Sequence, residues 1–138
     1  MTPGKDCGLD ATSHVTGRPV RKAVIPAAGL GTRLLPATKA VPKELLPVID
    51  KPVLQYVAEE AAASGIEELI VITAAGKGAL ADHLLDNADL EAHLRRTGRG
   101  VGLAAVHDVT GGAAVRFVEQ PEQRGLGDAV RCARDAVG

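Results

Sequence analysis

Between Ala27 and Arg33 the chain reads Ala-Ala-Gly-Leu-Gly-Thr-Arg, residue types and spacing suited to capturing phosphate oxygens. Gly29 and Gly31 carry no side chains, so their backbone N–H groups can approach an anion closely. Arg33 follows with a planar fork of donors that matches phosphate geometry. Lys39 and Lys43 add ammonium groups further along. A tight turn with exposed basic residues is the alternative, and a bare Gly-x-Gly does not separate the two. Two familiar phosphate loops are excluded. A Walker A loop places Gly-Lys-Ser/Thr where this chain has Leu34 and Leu35. A dinucleotide fingerprint needs a third glycine at Leu34 and an immediate helix, which Pro36 disfavours.

The elements that would position these residues alternate in type. Residues 1–21 are rich in Gly, Thr, Ser, Asp and Pro without an apolar period, and are expected to be a disordered leader. Lys22–Ala28 is an apolar run of the kind found in a buried parallel strand. Pro36, Pro42 and Pro47 forbid a long helix between Gly29 and Asp50. Pro52 suits the first position of a helix running to Ala63, with Val53, Val57 and Ala61 as its apolar stripe and Gly65 as its stop. Glu68–Thr73 predicts a second buried strand. Lys77–Asp86 and Asp89–Arg96 predict two short helices, the second capped by Asn87 or Asp89. Arg99–Gly112, dense in glycine, predicts a loop with a single helical turn at most. Val115–Glu119 predicts a third strand, Gln120–Gly127 a loop and Asp128–Val137 a helix.

Strands alternating with helices imply parallel pairing and right-handed crossovers, so the fold class is α/β with helices on both faces of a small sheet. The last helix would feed a further strand, and the sheet is expected to be incomplete at the C-terminus. Loops after strands belong at the carboxyl edge, where open α/β sheets bind ligands, and both Ala28–Lys43 and Gln120–Gly127 qualify.

Composition narrows the function. A chain of 138 residues has room for one domain. With 46% apolar and 24% charged residues it is an ordinary soluble globular sequence. A net charge of −1, without a basic face or arm, argues against nucleic acid or a membrane surface as partner. The apolar stretches are too short to span a bilayer, and the N-terminus lacks the pattern of a secretory signal, so a cytoplasmic location is expected. Cys7 and Cys132 show no metal-ligand spacing and are expected to be free thiols. With no Trp, one Tyr (Tyr56) and one Phe (Phe117), stacking on a base is barely available. A nucleobase would have to be read by backbone and amide hydrogen bonds.

The run Ala27–Pro36, followed by Pro42-Lys-Glu-Leu-Leu-Pro-Val-Ile-Asp-Lys-Pro52, resembles the N-terminal signature of sugar-phosphate nucleotidyltransferases. It is most similar to the bacterial UTP–glucose-1-phosphate uridylyltransferases. Ala37–Glu44 favours that branch over thymidylyltransferases. The similarity continues through Gln55-Tyr56, Leu90–Ala92 and Gly125–Val130, and covers about Lys22 to the end.

The resemblance implies a Rossmann-like nucleotidyltransferase sheet and a role for each matched residue. Ala28 and Gly29 would contact the base or ribose through their backbone. Gly31, Thr32 and Arg33 would hold the triphosphate, with Arg33 on the departing pyrophosphate. Lys43 would neutralise the α-phosphate region, Lys39 being the weaker candidate. Gln120 would read uracil and Gly125 would offer backbone to it, although Gln120 as a surface loop residue, and Glu44 as an ion-pair partner of Lys43, are the plainer alternatives. The implied partners are UTP and a sugar 1-phosphate, with self-association left open. The implied cofactor is Mg2+, whose aspartate is expected beyond the chain end, and the 138-residue chain is accordingly expected to be inactive alone. The sugar phosphate is already anionic, so no general base is needed, and His83, His93 and His107 need no catalytic role. Asp128 stands where the family commonly has His. A non-catalytic nucleotide-binding module, and transfer with another sugar phosphate or dTTP, are the competing functions.

Overall fold

The computed structural model describes residues 18–138. Cys7 and most of the expected leader lie outside them. Arg21, assigned to that leader, already joins the fold: its carbonyl accepts the N–H groups of Glu67 (2.7 Å) and Glu68 (3.1 Å).

Strand β1 (Lys22–Pro26) opens a sheet whose centre is the strand Glu68–Thr73 and whose other edge is the strand Ala114–Glu119. Between β1 and the centre lie a small antiparallel pair, β2 (Pro47–Val48) and β3 (Lys51–Pro52), and helix α1 (Val53–Ala63). The central strand is thus β4 and the far edge β5, both pairings being parallel, Lys22 with Glu68 and Glu68 with Ala114. Leu69, Ile70, Val71 and Ile72 of β4 are all fully buried. A parallel strand covered on both faces must be apolar at every position rather than at alternate ones, which is why its sequence is a continuous run.

The two faces have separate covers. Leu69 and Val71 meet Leu54 and Ala58 of α1 and Leu80 and Leu84 of α2 (Gly78–Leu84). Ile70 and Ile72 meet Ala129, Ala133 and Ala136. The buried stripe of α1 is therefore Leu54–Ala58; of the expected Val53, Val57 and Ala61, only Ala61 packs against this core, Val53 and Val57 being 42% and 40% exposed. Apolar residues lie almost all around this helix, so spacing alone does not choose its face. Burying Leu54 is worth roughly 1.5–3 kcal/mol.

Helix α3 (Ala88–Arg96) is capped by Asn87, whose side chain accepts the N–H of Leu90 at 3.0 Å. Where a glycine-rich loop was expected, α4 (Gly100–Val106) makes two turns. Gly102 allows this, since a Cβ there would stand 3.3 Å from Leu94 of α3. The C-terminal helix starts earlier than expected and is broken at Ala133 into α5 (Leu126–Cys132) and α6 (Arg134–Val137). Helix α5 lies across β1 and β4, on the face opposite α1. The chain thus winds outward from β1 to β5 and then turns back. Such reversals open a crevice beyond the carboxyl ends of the strands.

Candidate functional site

The loop after β1 leaves the sheet at Ala27, whose N–H still bonds Ile72 of β4 at 2.7 Å. Four of its carbonyls, those of Ala27, Ala28, Gly29 and Gly31, are held by side-chain donors from outside the turn. Lys77 Nζ donates to Ala27 O (2.6 Å) and to Gly29 O (2.7 Å). Gln123 Nε2 donates to Ala28 O at 2.9 Å. Thr38 Oγ1 donates to Gly31 O at 2.7 Å. In a trans peptide the N–H points opposite to the preceding carbonyl. Pinning the carbonyls therefore directs the following N–H groups away from their holders. The N–H groups of Gly29, Leu30 and Gly31 donate to no acceptor among the described residues. A short stretch of oriented, unengaged backbone donors is a receptor for anions.

Glycine is required at the second position of the motif. Gly31 sits at φ 67°, and a Cβ there would stand 3.1 Å from Thr38 Cγ2 and 3.2 Å from Lys43 Cβ. Gly29 leaves room above the backbone for the Lys43 ammonium, 3.7 Å from where its Cβ would be. Short 3-10 turns over Thr32–Leu34, Ala37–Lys39 and Lys43–Leu45 take the chain past three prolines without a long helix, as the sequence led us to expect.

Two adjoining clefts share Lys43. One, of about 330 Å³, is lined by Ala28, Gly29 and Lys43 on one side and by Gln120, Gln123 and Gly125 on the other. The second, of about 500 Å³, is lined by Gly31, Thr32, Arg33 and Lys43. All eight residues singled out from the sequence therefore line one cleft or the other. Lys39 is exposed and lines neither.

Gln120 is buried rather than a surface residue. Its N–H bonds Thr73 O at 2.8 Å, and its side-chain Nε2 donates to Asp128 Oδ2 (2.9 Å) and Gly125 O (3.3 Å). Both neighbours only accept, so the amide nitrogen must face them, leaving Oε1 as the free acceptor of Gln120. Asp128 is in turn gripped by Arg131, at 2.6 and 3.2 Å. The hydrogen bond from Gln120, and then the Arg131 guanidinium, hold its carboxyl below the usual carboxylate range. Its charge is thus engaged within the loop and helix that carry it.

Glu44, expected beside Lys43, has Lys77 as its nearer partner: 3.2 Å to Oε2, against 4.0 Å from Lys43 Nζ to Oε1. Lys77 and Gln123 are the site residues the sequence did not reveal. Their targets are main-chain carbonyls 48 to 95 residues away, which no local pattern encodes. Among the described residues there is no group of three or more His, Cys, Asp or Glu side chains placed to hold a metal. No helix among them is long and apolar enough to cross a membrane.

A glycine loop with pinned carbonyls thus lies at the crevice of a parallel sheet, opposite an amide-bearing loop, where open α/β sheets bind ligands. Residues 22–138 match the nucleotidyl transferase family, and the chain belongs to it. It is 51% identical over 119 residues to the UTP–glucose-1-phosphate uridylyltransferase YngB of Bacillus subtilis (strain 168), a match covering 86% of this chain and 40% of that protein. It is 50% identical over 121 residues to UTP–glucose-1-phosphate uridylyltransferase 2 of Staphylococcus saprophyticus subsp. saprophyticus, covering 88% of this chain and 42% of the relative. Its structure matches a UTP-bound UGPase from Acinetobacter baumannii with a TM-score of 0.81 at 41% identity, over 86% of this chain and 42% of the other. The chain spans less than half the length of these relatives.

Proposed function

We propose that this chain carries the nucleotide-binding part of a UTP–glucose-1-phosphate uridylyltransferase working in the cytoplasm. The observation that supports it most is the pair of clefts joined at Lys43, one lined by donors for phosphate and the other by Gln120 and Gly125. Gly31, Thr32 and Arg33 would hold the β- and γ-phosphates, and Lys43 the α-phosphate between the clefts. Gln120 Oε1 would accept from N3–H of uracil, while Ala28 and Gly29 present backbone to base and ribose. Cytosine has no hydrogen at N3, so the same acceptor would disfavour it.

In the reaction, a phosphate oxygen of glucose 1-phosphate attacks the α-phosphorus of UTP. One P–O bond forms, the bond to the β-phosphate bridging oxygen breaks, and pyrophosphate leaves with the electron pair. The nucleophile is already an anion, so the residues contribute alignment and charge neutralisation rather than proton transfer. Arg33 and Lys43 would do this. Mg2+ is the expected metal partner of the nucleotide.

Calorimetric titration of the chain with UTP, CTP, ATP and uridine tests the reading. UTP should bind tightest, with CTP weaker by about tenfold for one mismatched hydrogen bond. Equal affinity for all three triphosphates would leave a phosphate site without a uracil site. Product analysis with UTP and several sugar 1-phosphates, using a chain as long as the relatives, tests the sugar.

A further inference from the structure

We propose that Lys77 is a positioning residue for the phosphate loop, fixed in that role by the buried carboxylate of Glu44. An ammonium has three hydrogens and no acceptor. Those of Lys77 meet three acceptors: Ala27 O at 2.6 Å, Gly29 O at 2.7 Å and Glu44 Oε2 at 3.2 Å. Two are alternate carbonyls of the loop; the third is a carboxylate from the turn that carries Lys43. One nitrogen, reaching over from the loop after β4, thus ties together both halves of the phosphate side. Its grip on Ala27 O and Gly29 O turns the N–H groups of Ala28 and Leu30 the other way.

Glu44 explains why Lys77 stays. The side chains of Lys77 and Glu44 are only 12% and 10% exposed, so neither has water as a ready substitute partner. Glu44 Oε1 is buried without any hydrogen bond, and Lys43 Nζ stands 4.0 Å from it. One carboxylate therefore faces two lysines of different freedom. Lys77 is locked in, whereas Lys43 is half-exposed and unbonded, free to meet a ligand's charge. That this loop serves nucleotide phosphate rests on the function proposed above; that Lys77 sets its shape does not.

The test uses Lys77→Met, the double variant Lys77→Met/Glu44→Gln, and Lys77→Arg. The single Met variant strands a buried carboxylate and is expected to be destabilised, whereas removing both charges together restores most of the stability. In the double variant, 15N order parameters over Gly29–Thr32 should fall from about 0.85 to below about 0.6, with those of β4 unchanged. If the loop then holds its binding shape about a tenth of the time, the Kd for UTP rises about tenfold. A purely structural ion pair predicts a stable double variant with a rigid loop and wild-type affinity, which would overturn the proposal. Lys77→Arg keeps a charge beside Glu44 and decides the matter if the double variant does not fold. Its planar donors do not converge from one atom, so the loop should loosen there too, and a rigid loop would count against the proposal. If the wild-type chain fails to bind UTP while the variants loosen the loop, Lys77 keeps its role and the nucleotide reading fails.

Discussion

Arg33 has no ion-pair partner among the described residues, and its side chain lines the cleft with Gly31 and Thr32. On the function proposed above, such a free guanidinium would serve phosphate rather than base. Arg33→Ala should therefore weaken UTP by about 10- to 100-fold, the worth of a charge-assisted bond, and leave uridine nearly unchanged. Equal losses in calorimetry would show that Arg33 does something else. Asp128 acts through Gln120: with its acceptor gone, the amide can rotate and offer either end. Asp128→Ala should shrink the preference for UTP over CTP by several-fold while sparing triphosphate affinity. Selectivity unchanged from wild type would mean that Gly125 alone orients the amide. His83 gives a pH dependence. Its ring sits half-buried against Gln55 Oε1 at 3.1 Å, and burial lowers its pKa from the ordinary 6.5. The unfolded chain then binds the proton more readily, so the stability from neutral His83 is complete above that ordinary value and is lost as pH falls through the lowered one. Urea midpoints measured between pH 7.5 and 5.5 should decline, and His83→Gln should flatten the decline.

At the scale of elements, the loop's shape depends on a few fixed backbone points. Gly31→Ala imposes a left-handed conformation on a residue with a Cβ and crowds Thr38 and Lys43, at a cost of roughly 1–2 kcal/mol. A thermal or urea melt should show that loss, with UTP affinity falling as well; a melt and affinity equal to wild type would mean that the loop adjusts freely. Asn87→Ala, by contrast, should cost about 1 kcal/mol through the α3 cap and leave nucleotide binding alone. How much of this the sequence disclosed follows from range. Glu68–Thr73 was legible to the residue because a continuous apolar run between polar ends has few other uses in an α/β chain. The residues lining the two clefts at Lys43 were legible as a group because the glycines, Arg33 and Lys43 are close in sequence. Helix α4 was not, since two glycines in seven positions lower propensity by about 1 kcal/mol each and packing with Leu94 outweighs that. Nor was the stripe of α1, where tertiary contact, not spacing, selects Leu54 over Val53.

For the molecule as a whole, the sheet has one protected strand and two edges. Backbone groups on the outer sides of β1 and β5 have no strand partner among the described residues, and such edges invite association. The final helices are partly covered: Ala129, Ala133 and Ala136 are buried, whereas Val130 and Val137 are 51% and 42% exposed. Hydrogen exchange should therefore be slowest in Leu69–Ile72, faster in β5 and in α5–α6, and size-exclusion profiles should broaden as concentration rises. A concentration-independent monomer with α5 amides as protected as those of β4 would contradict this. The parallel register also has a consequence for synthesis. Lys22 cannot pair until Glu68 has been made, and Glu68 waits in turn for Ala114. Gln120, Gln123 and Gly125 emerge from the ribosome later still. The nascent chain thus carries its glycine loop early, attached to a strand with no neighbour, and gains the facing wall of the cleft only once Gln120–Gly125 has been made. Such long-range closure folds slowly, so a growing chain would stay open to chaperones and proteases until the segment through Gly125 has been made, and ligand could shelter it only after that.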